Sequence, residues 1–262
     1  MDLMRPAAWL VVAGCSSGTP RPAEDAKRIP PPGDAQPAPI VHDAPVAPTA
    51  PVGDVQVRVE WSNVPPAARS SPGKTACGTP RAPAVAPTTT WGIPEVLVIV
   101  DGAPGVPADA RVRLLDCAIA PRLAIGSSLA LDSAMTRPAK LVLAARRTAA
   151  DLRTKLEAPR ARPILLPIGG HEVTSKLEAG SVYELSVDEP GSKTSREAAW
   201  IVAANGAITD ASGVVLARDV PVGTHAVRVW LPPRGGQPER HASGEVTVVA
   251  GDLAELTLKL AP

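Results

Sequence analysis

Residues 208–231 read ITDASGVVLARDVPVGTHAVRVWL, and their pattern decides the fold class. Thr209-Asp210-Ala211-Ser212-Gly213 combines an Asp that can bond its own downstream backbone with a Gly that tolerates a left-handed turn. A short apolar strand follows, and Asp219-Val220-Pro221-Val222-Gly223-Thr224 forms a second turn. His225–Leu231 then alternates, with Val227 and Val229 on one face and Arg228 and Trp230 on the other, which is the period of a strand and not of a helix.

The same signals recur outward from this stretch. Val55, Val57, Val59 and Trp61 alternate with Gln56, Arg58 and Glu60, predicting a strand with one buried face that Pro65 and Pro66 stop. Pro94–Val100 (PEVLVIV) is a continuous apolar run, predicting a central strand buried on both faces and ended by Asp101-Gly102. Further strands are expected at 111–115, 122–131, 139–144, 163–168, 172–177, 182–187, 198–203, 244–249 and 255–260. Short strands punctuated by Pro and Gly at this spacing predict an all-β sandwich. Ala144–Glu157 (AARRTAADLRTKLE) contains no Gly or Pro and places Leu152 and Leu156 four residues apart; it reads either as a short helix or as a strand and a loop.

The chain has 262 residues, 27 Lys+Arg against 26 Asp+Glu, one Tyr, five Trp and no Phe. A balance of +1 supplies no field to draw nucleic acid, so none is expected as a partner. The basic stretch Arg146–Arg162 is interrupted by Asp151 and Glu157 and lacks interleaved aromatics, so it reads as a solvated face.

At the N-terminus Arg5, the apolar run Ala7–Ala13 and Val12-Ala13-Gly14-Cys15 resemble a bacterial lipoprotein signal. That resemblance implies a signal peptide over 1–14, with Cys15 lipid-modified and holding the protein in a membrane of the cell envelope, facing the periplasm or the cell surface. An ordinary secretory signal is the alternative. Residues 15–53 are rich in Pro and Ala, with prolines from Pro20 to Pro51, predicting a disordered tether with a reach on the order of 100 Å. His42 falls in it. Setting Cys15 aside leaves Cys77 and Cys117, an even pair in an oxidising compartment, and a disulfide is expected; two free thiols are the alternative. Closing that loop would contribute about 4 kcal/mol in the chain-entropy account.

Cys77-Gly78, the run Val96–Val100, and Cys117-Ala118-Ile119-Ala120-Pro121 followed by Leu123, Ile125 and Gly126 resemble the periplasmic plastocyanin-type cupredoxins. The resemblance implies a Greek-key β-sandwich over 54–197. The loops where those proteins carry copper ligands read here LDSAMTRP at 131–138 and PGSKTSRE at 190–197, without the His, Cys and Met of a blue-copper set. No cofactor and no metal site are therefore expected. The quoted turns of 208–231 resemble the carboxypeptidase-regulatory-like pattern T-D-x-x-G … D-V-P-x-G-T-Y, with His225 at the Tyr position, implying a C-terminal regulatory-like β unit over 198–262.

The chain has no Gly-x-Ser-x-Gly, His-Glu-x-x-His or phosphate-cradling Gly-rich motif. The expectation is a non-catalytic envelope protein that binds or scaffolds, with an envelope protein or a glycan as partner. Two alternatives stand beside it. One is a copper electron-transfer protein using His171 and His225 with a cysteine. The other is a carbohydrate or cell-wall binder using exposed Trp61, Trp91 or Trp230.

Overall fold

The computed structural model describes residues 50–63, 91–105, 109–115, 118–136, 138–170, 172–188, 198–234 and 238–261. Among these residues there are sixteen strands and no helix. They are β1 Val52–Trp61, β2 Leu97–Val100, β3 Asp109–Leu115, β4 Ala118–Ala120, β5 Leu123–Ile125, β6 Ser128–Ser133, β7 Ala139–Thr148 and β8 Ala161–Leu166. The second half adds β9 Val173–Lys176, β10 Ser181–Val187, β11 Ala198–Val202, β12 Ala207–Ile208, β13 Val214–Pro221, β14 Gly223–Leu231, β15 Arg240–Val248 and β16 Leu253–Leu260. The all-β expectation holds.

The strands pair into four sheets. The sheets β13-β1-β16 and β12-β2-β14-β15 face each other over a valine-rich core that includes Val55, Val57, Val59, Val98, Val227, Val229, Val246 and Leu258. Each such side chain, fully buried, contributes about 1.5–3 kcal/mol. β1 is the hub of its sheet, antiparallel to β13 and parallel to β16. The sheets β5-β11-β10-β7-β8 and β4-β3-β6-β9 close over a second core containing Val112, Leu114, Leu129, Leu131, Leu141, Leu143, Leu185 and Ile201.

This arrangement corrects the boundary expected at residue 198. β1 and β2, expected within a 54–197 unit, belong to the first sandwich with β12–β16, while β11 (Ala198–Val202) lies inside the second sandwich between β5 and β10. The second sandwich is thus threaded between β2 and β12 of the first. Backbone pairing decides this, and hydrophobic alternation carries no information about which strand pairs with which.

Two local expectations are resolved. Ala144–Glu157 begins as β7, which runs to Thr148, and continues as a loop without helix. The strand expected at 122–131 is two, β5 and β6, broken at Gly126-Ser127. A side chain at Gly126 would stand 2.2 Å from the amide nitrogen of Ala110, so only glycine lets the chain pass β3 there.

The β7–β10 ladder carries a bulge: Val182 pairs with Arg147 but Tyr183 with Ala145, leaving Arg146 as the extra residue. Strict alternation from Leu141, Leu143 and Ala145 would point Arg147 into the second core. The bulge turns it to the opposite face, beside Val182. That face meets the first sandwich. A third core forms there from Leu97 and Ile99 of β2, Trp230 of β14, Leu123 and Ile125 of β5, Trp200 and Val202 of β11, Val182, and Ala149 and Leu152 of the β7–β8 loop. The apolar run 94–100 is buried on both faces, as expected, because Val96, Val98 and Val100 face the first core and Leu97 and Ile99 the third.

Candidate functional site

The turn at 209–213 is built as its residues imply. The Asp210 carboxylate accepts hydrogen bonds from the Ser212 hydroxyl at 2.7 Å, the Ser212 amide at 2.8 Å and the Val214 amide at 3.0 Å. Those donors, the Ser212 hydroxyl foremost, hold its carboxyl below the usual range. Gly213 closes the turn at φ 81°. The preceding Thr209 is buried; its hydroxyl donates to the Ile93 carbonyl at 2.7 Å and accepts from the Val96 amide at 3.0 Å, pinning the approach to β2. These bonds hold the first sandwich together where the chain meets β2.

Polar side chains concentrate at the junction of the sandwiches. Arg147, 1% exposed, donates to the Leu152 carbonyl and to Glu239 Oε2 at 2.6 Å. Its guanidinium lies 5.5 Å from the centroid of the Trp200 ring and 5.0 Å from that of Trp230. The two indoles meet edge-on at 5.1 Å and 83°. Trp230 Nε1 donates to the same Glu239 oxygen at 3.1 Å, and His241 Nε2 stands 3.8 Å from it. Burial pushes the His241 imidazole below its ordinary value; Glu239 opposes this, and Arg153 and Arg147 add to it. On the flank, Arg228 pairs with Asp101 and donates to the carbonyls of Ala149 at 3.0 Å and Ala150 at 2.6 Å. The β7–β8 loop is thereby strapped to β14. A second buried arginine, Arg234, is held by the carboxylate and the carbonyl of Glu95.

Cys15, Cys77, Cys117, His42 and His171 lie outside the described residues. Of the three tryptophans expected to offer a surface, Trp61 and Trp230 are corrected to core residues, 4% and 0% exposed: alternation turns Trp61 into the first core, and Trp230, on the face of β14 opposite Val227 and Val229, is covered by the second sandwich. Trp91 is 50% exposed. His225 bonds the Pro221 carbonyl at 2.6 Å. His241 sits on β15 opposite Trp230. Along the β14–β15 ladder His225 and His241 are five residue positions apart, roughly 17 Å at 3.4 Å per residue, so they do not converge. Among the described residues no three His, Cys, Asp or Glu side chains gather as a metal-ligand set.

A cleft of about 540 Å³ opens on the outer face of the sheet β4-β3-β6-β9. Val112, Leu114, Leu129 and Leu131 turn into the second core, which leaves Arg111, Arg113, Ala130 and Asp132 facing out. Ala130 forms part of the floor and is only 4% exposed despite its outward direction. Arg113 Nε pairs with Asp132 Oδ2 at 3.1 Å. The loop leading to Glu172 is pinned over the sheet end, with the Gly169 amide on the Met135 carbonyl at 3.1 Å and the Gly170 amide on the Ser133 carbonyl at 2.8 Å. Sequence reading missed this cleft. The alternating Arg111-x-Arg113 was its one visible sign, and that pattern also describes any solvated strand face.

No protein-family model, no curated protein and no solved structure matches this chain.

Proposed function

We propose that the chain is a non-catalytic, lipid-anchored cell-envelope protein that acts by binding or scaffolding. The observation that carries the binding part is the junction. Arg147, Trp200, Trp230 and Glu239, with the Arg228 strap, lock the two sandwiches together, and a body locked in this way offers fixed surfaces to a partner. The N-terminal pattern ending at Cys15 supports the anchor, and the Pro-rich stretch to residue 53 supports an arm that carries the body clear of the lipid. In this reading the first sandwich is the regulatory-like unit, with β1 and β2 as its first strands, and the second is a copper-free, cupredoxin-like Greek key. Half-exposed Trp91 keeps a glycan as a second reading for the partner.

Growth with an alkyne-tagged palmitate, followed by membrane fractionation, tests the anchor. Label and membrane association are expected for the wild type and are lost in Cys15→Ala. An unlabelled, freely released wild type overturns the anchor. Stoichiometric copper with an intense visible thiolate band overturns the copper-free reading.

A further inference from the structure

We propose that the cleft on the outer face of β4-β3-β6-β9 binds a short zwitterionic peptide, with the carboxylate at Arg111 and the amine at Glu172. This deepens the binding part of the proposed function and rests on it. The volume of about 540 Å³ lies within the range of small-molecule sites. Among the described residues its charged lining is Arg111 and Arg113 against Asp132 and Glu172, a balance that suits a ligand carrying both signs of charge.

The charges are not equivalent. Arg113 and Asp132 already satisfy each other at 3.1 Å in the middle of the sheet. Arg111, with its side chain 75% exposed, has its nearest carboxylate, Asp109, at 3.8 Å, and Asp109 already accepts from the Ser128 hydroxyl. Glu172 has no ion-pair partner among the described residues. A largely exposed cation with only a long ion pair and an anion with no ion pair among the described residues therefore stand on opposite sides of a single trough.

Their separation sets the ligand length. β6 lies between β3, which carries Arg111, and β9, which Glu172 immediately precedes; Arg111 is level with Ala130 and Glu172 with Asp132, so the two are two strand spacings apart and two positions offset along the strands, about 12 Å between backbones. An extended tripeptide spans about 10 Å from its amine to its carboxylate, and the two long side chains close the remainder. Ala130, buried on β6 between them, keeps the floor of the trough low. A guanidinium fork can take the carboxylate through two parallel hydrogen bonds. The central Arg113–Asp132 pair supplies a donor and an acceptor to the peptide amides.

The test uses the full chain carrying Cys15→Ala and titrates it with tri-alanine, following backbone amide shifts by NMR. Saturable binding with a Kd on the order of 1 mM is expected, the range that partly exposed charge pairs support. The shifts should centre on residues 111–113 and 130–132. Arg111→Ala and Glu172→Gln should each weaken binding roughly five- to tenfold with unchanged thermal melts, since neither side chain packs in a core. Tri-alanine acetylated and amidated at its ends should lose comparable affinity. The proposal is overturned by no saturation at about ten times that concentration, by equal binding of the blocked peptide, or by full affinity in both variants. None of these outcomes alters palmitate labelling at Cys15, so the anchor stands or falls separately.

Discussion

Replacing Arg147 by Met asks what the junction contributes. Methionine keeps much of the stem between the Trp200 and Trp230 rings but removes the hydrogen bonds to the Leu152 carbonyl and Glu239. Hydrogen bonds from a charged donor contribute about 1.5–3 kcal/mol each, and stacking of the cation on the indoles adds roughly 0.5–2 kcal/mol. Two effects act the other way. The desolvation cost of the guanidinium disappears, and the Glu239 side chain, 22% exposed, can recover water. The net expectation is a loss of about 2–3 kcal/mol, below the 3–5 kcal/mol typical of a fully buried pair broken on one side. Urea unfolding followed by tryptophan fluorescence and by far-ultraviolet circular dichroism measures it. Trp200 and Trp230 sit at the junction, so loosening there separates the fluorescence transition from the dichroism transition. The double variant Arg147→Met with Glu239→Gln should recover at least half of the loss. An unchanged midpoint in Arg147→Met would refute the idea that this cation ties the sandwiches together.

Two further outcomes follow from single residues. Thr209→Val keeps the shape but strands the Ile93 carbonyl and the Val96 amide; a loss of about 2–4 kcal/mol in urea is expected, with Thr209→Ser close to wild type, and equal midpoints for the two would sink the assignment. Because burial lowers the His241 pKa in the folded state, the unfolded chain takes up the proton first as pH falls below about 6.5. The associated stability is fully present above that pH and is lost toward the folded pKa, so between pH 8 and pH 5 the wild-type melting temperature should fall further than that of His241→Asn. Parallel pH profiles would contradict this.

Strand positions were legible because burial on one face writes a period of two into the sequence, as in Val55, Val57, Val59 and Trp61 of β1. The double-sided burial of β2 was legible too, although its second partner was not: a run of apolar residues states that both faces are covered, not by what. Pairing stayed hidden. Nothing local in β1 announces that β13 and β16 flank it, and the expected boundary at 198 failed for that reason. The bulge at Arg146 was equally invisible, yet it decides whether Arg147 enters the second core or the junction. The tryptophans show the limit for sites, since an indole reads alike whether it packs at 0% exposure, as Trp230 does, or stands half in water, as Trp91 does.

The parallel pairing of β1 with β16 also governs how the protein can come into being. β1 emerges early in synthesis, but both of its flanking strands, β13 and β16, follow only after the second sandwich has been made. Until β13 arrives both edges of the hub strand stay open, and until β16 arrives one still does, with Val55, Val57 and Val59 lacking Leu258 and Leu260 as packing neighbours. The second sandwich draws its strands from one continuous stretch and can close first. Assembly therefore runs from the middle of the chain outward, and the interval before β16 arrives is when a chaperone has most to protect.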